Sequence, residues 1–303
     1  MTRGEFLKTV GSAAVLAATG DSFGAEAAIG ATADYAALQA EIDEVTPSDF
    51  KAYLDGGWDW FGLARKDALL RLDDAFDKVL LEVRETVVTD RPAVWLVYNM
   101  GVVVKTKAAC FSIDLMHRRA PEIAPLLDFA LITHNHGDHY TEEFYRAMNG
   151  AGKTVVSNFK DNFGAKNWAE AGGYTRAGKA FKLKDVEIRT SLADHNGYLV
   201  DFTTAFEVAA GKYTIYHSGD CSSLEKLNPT RRPDLWIVHP YCGMNVGEGV
   251  RKLRPEATVI AHLNELGHAR DRWRWTWQDG LAAQREAEAA GGKAVVPVWG
   301  ERI

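Results

Sequence analysis

The segment His134-Asn135-His136-Gly137-Asp138-His139 places three imidazoles and a carboxylate within six residues. Such a set supplies the borderline nitrogen and hard oxygen donors that Zn²⁺, Mn²⁺ or Fe ions accept. It directly follows the apolar run Leu126 to Thr133, so the donors stand where a buried-type strand opens into a loop. In an extended or turn-like stretch His134 and His136 project to one side. Gly137 lets the chain fold sharply, and Asp138 and His139 then face a second position. One short loop thus offers ligands to two adjacent ions, and the ~3.5–4 Å separation of a two-metal site calls for further ligands from elsewhere.

Those ligands have candidates. His195 follows the strand-like Val186 to Thr190 and is expected in a loop, Asp220 ends Tyr216-His217-Ser218-Gly219-Asp220 after another strand, and His262 closes the run Val259-Ile260-Ala261. His268, on a Gly-bearing loop six residues further on, is placed where a proton donor to a leaving oxygen would be useful. His239, at the end of Leu235 to Val238, is expected to line the cleft with Tyr241, or else to be a satisfied structural histidine. His117 and His217 are read as non-ligands.

The elements that must position these residues alternate between strand and helix texture. Asp67 to Val83 carries Leu69, Leu72, Phe76, Val79, Leu80 and Val83 at helical spacing, and before it a polar, helix-prone segment runs from the end of the signal to about Asp55, followed by the aromatic cluster Gly57 to Phe61. Strands are expected at Ala93–Tyr98, Val102–Thr106, Ala109–Ile113, Leu126–Thr133, Val186–Thr190, Thr203–Val208, Tyr213–His217, Leu235–His239, Thr258–Ala261 and Ala294–Val296. Helices are expected at Thr141–Met148 and about Thr276–Ala290. The division expected is 1–27 an export signal, 28–92 a helical extension packed on the core, and 93–303 one catalytic domain.

Composition narrows the function. A net charge of −6 spread over 303 residues leaves no electrostatic footprint for nucleic acid, and beyond the N-terminus no run is long and apolar enough to span a bilayer. The partner expected is a small molecule. Three scattered cysteines, Cys110, Cys221 and Cys242, provide neither a zinc ribbon nor a disulfide framework. At the N-terminus Arg3 and Lys8 precede an apolar stretch from Val10 to Ala18, and Ala25-Glu26-Ala27 offers a cleavage site. That pattern is an export signal in outline and implies a periplasmic protein. The stretch Thr2 to Lys8 is similar to a twin-arginine signal, with Gly4 in place of the second arginine.

Taken in order, the HxHxDH segment after an apolar strand, a loop histidine, a strand followed by Gly-Asp and a strand ending in histidine resemble the metallo-β-lactamase superfamily from Ala93 to the C-terminus. The resemblance implies an α/β fold, a four-layer αββα sandwich with the N-terminal helices added to it. It implies His134, His136 and His195 on a first divalent ion, Asp138, His139 and His262 on a second, and Asp220 bridging them, with zinc the first choice and Mn or Fe the alternatives. Asp114 matches an aspartate that supports the site from behind. A bridging aspartate in a Tyr-His-Ser-Gly-Asp setting is typical of the superfamily's phosphodiesterases and lactonases, not of its β-lactamases. The segment His262 to His268 is most similar to the ascorbate-6-phosphate-lactonase-like branch.

Two cations sharing a water lower its pKa from ~15.7 toward ~7 and make hydroxide available at neutral pH. The reaction expected is therefore hydrolysis of an ester-type bond, lactone or phosphodiester, with Asp138 or Asp220 orienting the proton of the attacking water and His268 serving the leaving group. Arg270, Arg272 and Arg274 alternate with Trp273 and Trp275 just beyond. They are read either as a substrate clamp or as a solvated face with tryptophans packed beneath, and Trp58 and Trp60 pose the same choice. The competing class is a mononuclear iron dioxygenase on the same fold, since ligand identity alone does not select zinc over iron. A flavodiiron protein departs from the pattern at Asn135-His136, where that family uses a glutamate. A binding protein with structural metals is the third possibility.

Overall fold

In the computed structural model, which describes residues 34–56, 66–160, 168–172 and 177–303, strand β1 (Ala93–Tyr98) is buried along its whole length. Its alternate residues serve two apolar clusters, Val94 and Leu96 joining one, Trp95 and Val97 the other. A strand covered on both faces belongs to the interior of a layered α/β fold. β1 heads a six-stranded sheet with β2 (Gly101–Lys105), β3 (Cys110–Ile113), β4 (Phe129–Ile132), β5 (Thr154–Ser157) and β6 (Trp168–Glu170) in sequence order. Pairing is antiparallel from β1 to β3 and parallel from β3 to β6.

The second sheet runs from β7 (Ala180–Leu183) through β8 (Val186–His195), β9 (Leu199–Ala210), β10 (Tyr213–His217), β11 (Leu235–Val238) and β12 (Ala257–Ile260) to β13 (Ala294–Val295). It too begins antiparallel and turns parallel, at β10. Leu96, Ile113 and Leu131 of the first sheet and Phe206, Ile237 and Val259 of the second share one cluster, the layer between the sheets.

Helices cover the outer faces. On the first sheet lie α3 (Asp67–Glu85) and α4 (Glu142–Gly150), after α1 (Tyr35–Asp43) and α2 (Pro47–Leu54). The predicted apolar stripe of α3 is the face it buries. On the second sheet lie α5 (Val246–Leu253) and α6 (Trp277–Ala289). α5 approaches so closely that a Cβ on Gly249 would stand 2.2 Å from the Trp236 ring. The four layers are those of an αββα sandwich.

Differences from the sequence reading have physical causes. The run from Leu126 shortens to β4 because Pro121 and Pro125 start two successive 3₁₀ turns, Ala120–Glu122 and Ala124–Leu126. β8 extends five residues beyond Thr190, so His195 ends a strand and is not in a loop, with a register shift between Ala193 and His195. β7, four residues long and without a buried side chain, and the short α5, interrupted by Gly247 and Gly249, escape the sequence reading because their patterns extend over too few residues. All three cysteines are buried free thiols. The expected export signal, Trp58 and Trp60 lie outside the described residues.

Candidate metal centre

The parallel strands of both sheets point their C-terminal ends at one place, the end of an α/β sheet at which sites are built. Asp114 leaves β3, His134 follows β4, His195 ends β8, and Asp220, His239 and His262 lie just beyond β10, β11 and β12. The Oδ2 atom of Asp220 is the common centre. It lies 3.3 Å from His195 Nε2, 3.4 Å from His139 Nε2, 3.5 Å from His262 Nε2 and 4.0 Å from His134 Nε2. Asp138 Oδ2 stands 3.1 Å from His262 Nε2 and 3.6 Å from His139 Nε2. Two groups of donor atoms, each within 4.8 Å of one another, follow: His134, His136 and His195, and Asp138, His139, Asp220 and His262.

The back of the cluster fixes which nitrogen faces it. His134 Nδ1 lies 2.9 Å from Thr133 Oγ1 and 3.2 Å from Thr203 Oγ1, and His139 Nδ1 donates to Asp114 Oδ2 at 2.9 Å. With Nδ1 occupied, each ring turns Nε2 inward. Asp114 is held in turn by the Thr133 backbone N–H at 2.7 Å and its hydroxyl at 2.8 Å. Gly219 explains the Gly-Asp pair: at φ +54° its Cβ would stand 2.8 Å from Thr203 Oγ1 and 3.1 Å from Thr133 Cβ, the threonines that hold His134. Gly137 stands in the turn the sequence predicts, closed by the His139 N–H on the His136 carbonyl at 3.1 Å. Its φ is not left-handed and a Cβ there would meet nothing within 4 Å, so the turn does not depend on a missing side chain.

Whether such a cluster suits cations can be tested on its unpaired atoms. Among the described residues, His134 Nε2, His139 Nε2, both ring nitrogens of His195 and Asp220 Oδ1 are buried without a hydrogen-bond partner. Unmet buried polar groups are rare and costly, and their convergence with carboxylates fits divalent ions. Burial holds the His134 imidazole well below its ordinary pKa, with His139 adding to the effect, so its lone pair is available. Burial works against the charge on Asp220, but His262 and His139 outweigh it and keep the carboxyl well below the usual range. Cys242 also approaches His195 and Asp220. Its thiol donates to the Asp220 carbonyl at 2.9 Å and burial pushes it up, so it braces the backbone.

The centre opens into a cleft of about 900 Å³ lined by Asp138, His239, Tyr241, His268, Trp273 and Trp275 among others, with α2 contributing one wall. His239 stacks on His262 at 3.8 Å between ring centroids and sets Nδ1 3.5 Å from Asp220 Oδ1. His268 reaches the cleft through its pairing with Glu265, Nδ1 to Oε2 at 2.7 Å. The arginines do not form a clamp. Arg270 is paired with Asp43 at 2.8 Å, Arg272 is exposed and outside the cleft lining, and Arg274 is buried, donating to the carbonyls of Ile42, Val45, Leu266 and His268. His117 stacks on Phe76 and meets Tyr53, while His217 bonds the Met100 carbonyl, so both stand outside the donor groups.

Sequence reasoning missed Asn99. It sits at φ +54°, donates to the Asp138 carbonyl at 3.1 Å and accepts the His262 backbone N–H at 3.1 Å through its own carbonyl, joining the two loops. It missed Glu265 as well, a buried acid whose two oxygens also accept the N–H groups of Gly267 and His268. An asparagine before Gly-containing turns is a weak signal, and a glutamate near a histidine weaker still.

This architecture is the metallo-β-lactamase fold. The metallo-β-lactamase fold protein YhfI from Bacillus subtilis superposes with a TM-score of 0.54 at 13% identity, over 71% of this chain and 99% of that one. CmlA, a diiron β-hydroxylase from Streptomyces venezuelae, superposes with a TM-score of 0.51 at 14% identity, over 71% of this chain and 54% of that one. In sequence, a UPF0173 metal-dependent hydrolase of Caldivirga maquilingensis is 28% identical over 158 residues, 48% of this chain and 67% of that protein. No family model matches the chain.

Proposed function

We propose that the protein is a metal-dependent hydrolase of small molecules that cleaves an ester-type bond, lactone or phosphodiester. The observation that carries this reading is the convergence of unpaired, buried imidazole nitrogens on Asp220 Oδ2 beneath an open cleft. His134, His136 and His195 would hold one divalent ion, Asp138, His139 and His262 a second, and Asp220 would lie between them, with zinc preferred and Mn or Fe alternatives. Ions bound there supply a water nucleophile at neutral pH and polarise the substrate's carbonyl or phosphoryl oxygen. The hydrolase name of the Caldivirga relative supports the reaction class.

The chain's own residues do the rest. Asp138, held by Asn99 Nδ2 at 3.1 Å from its carbonyl and 3.4 Å from its Oδ2, accepts the proton of the attacking water. Burial opposes its charge, but His139 and His262 outweigh burial and keep it an acceptor. Asp220 orients the same proton from the other side. His268, whose pKa the Glu265 carboxylate raises above the ordinary imidazole value, delivers a proton to the leaving oxygen. The second reading is an iron-dependent oxygenase, favoured by the fold shared with the diiron hydroxylase CmlA.

Elemental analysis of the native chain and of His134→Ala and Asp220→Ala, with hydrolysis assays on lactones, phosphodiesters and β-lactams, tests both readings. Two equivalents of zinc or manganese, lost in the variants together with ester or lactone hydrolysis, are expected. Iron with oxygen uptake would transfer the case to the oxygenase, and a metal-free protein with a native fold would end both.

A further inference from the structure

Five large apolar side chains are exposed among the described residues, and two of them, Tyr198 at 73% and Trp273 at 64%, stand on the lining of this one cleft. Trp273 is also held at φ +60°, a left-handed backbone that a bulky residue adopts only when its surroundings impose it, and such departures gather at functional sites. The restraint is visible: the next residue, Arg274, is fastened to four carbonyls. The Trp273 indole is thereby presented edge to face with the His268 ring at 5.7 Å. Deeper in the cleft Trp275 stacks on Tyr241 at 4.5 Å, and Leu54 of α2 lines the same space.

Charge points the same way. Among the described residues lining the cleft, Lys51 is the only lysine or arginine, and its Nζ lies 2.6 Å from Asp55 Oδ2, also in the lining. Arg270 and Arg274 are committed elsewhere. Among the described lining residues, a phosphate- or carboxylate-bearing tail, which the resemblance to a sugar-phosphate lactonase would imply, would meet as cations outside the donor groups only Lys51 and His268, each already paired with a carboxylate, Asp55 and Glu265. Aromatic faces at low conformational cost favour an apolar ring instead.

Resting on the hydrolase reading for the chemistry at the metal end, we infer that Trp273, with Tyr198 and the Trp275–Tyr241 stack, forms a specificity subsite for an uncharged, ring-bearing group of the substrate. The test is binding to the full chain as purified, by saturation-transfer NMR, with 3-phenylpropanamide, ring-free propanamide and the phenyl amide sulfonated on its ring. The phenyl amide should bind at least tenfold more tightly than the other two, with transfer concentrated on its ring protons. Trp273→Ala should weaken it about tenfold, and Trp273→Phe should recover most of that loss. Equal binding of the three amides, or undiminished ring binding in Trp273→Ala, overturns the subsite, and preference for the sulfonated amide overturns its neutrality. The probes are read by binding alone, so ring recognition by a protein that hydrolyses no ester or lactone would sink the hydrolase reading and leave the subsite standing.

Discussion

Asp114 Oδ2 accepts the Nδ1 proton of His139 at 2.9 Å, and neither side chain has any exposure to solvent. Asp114 reaches that position from a backbone at φ +50°, just where β3 ends. Groups that orient a metal ligand from behind are worth roughly 10–100-fold in metal affinity. Asp114→Ala should weaken metal binding by about that factor in a chelator competition, and Asp114→Asn, which keeps an oxygen for the ring N–H, by less. A variant that competes for zinc as well as the native chain would remove Asp114 from the centre.

The pairing of His268 with Glu265 gives the proposed reaction a pH signature. The pairing of His268 Nδ1 with the accepting Glu265 carboxylate raises the His268 pKa above its ordinary value, so the ring stays protonated to higher pH and a donor role is lost as pH rises through that raised value. Glu265→Gln should move the alkaline limb of the kcat profile toward lower pH. His268→Asn should cut kcat by about 100-fold with metal content retained. An unchanged alkaline limb in both variants would assign the leaving-group proton to another source.

Arg274 joins the loop after His262 to the carbonyls of Ile42 and Val45, at the end of α1 and ahead of α2. Removing a buried charged donor leaves several carbonyls unmet, so Arg274→Ala should cost about 3 kcal/mol in urea unfolding and raise KM as the α2 wall loosens. Arg274→Lys should rescue poorly, because an ammonium cannot reproduce the guanidinium fork. Stability within 0.5 kcal/mol of the native chain, a margin ordinary for surface changes, would contradict this role.

His117 predicts the acid sensitivity of the fold. Burial, with Arg119 and Arg118 adding to it, pushes this imidazole down to about 3, against ~6.5 for an unfolded histidine. The folded protein therefore binds fewer protons between those values. The contribution is present in full above pH ~6.5 and is lost as pH falls toward 3, by at most about 1.4 kcal/mol per pH unit. In His117→Gln that share of the slope should vanish, so the stability difference from the native chain should shrink from pH 7.5 to 4.5. A difference independent of pH would place the proton elsewhere.

The sequence was most legible where one rule dominates. β1 and β10 match their expected bounds, β1 because an unbroken apolar run ends in turn residues and β10 because its β-prone residues lie between Gly211-Lys212 and Ser218-Gly219, and α3 is met to within two residues because its stripe is buried by a single surface. The clustered donors of His134 to His139 declared themselves by composition alone. What stayed hidden depends on distant partners: Asn99 is informative only beside Asp138 and His262, Thr203 only beside His134, and Arg274 only against carbonyls more than two hundred residues away. The arginine and tryptophan alternation after His268 looked uniform, yet packing sends Arg274 inward and leaves Trp273 outside.

The donors are divided between the two sheets: His134, His136, Asp138 and His139 follow β4, whereas His195, Asp220 and His262 belong to the second sheet. A chain cut between β6 and β7 would yield two fragments, one carrying four of the donors and the other three. Capture of metal by a mixture of such fragments would then serve as a reporter of their reassembly, and its rate would time the docking of one half of the molecule on the other.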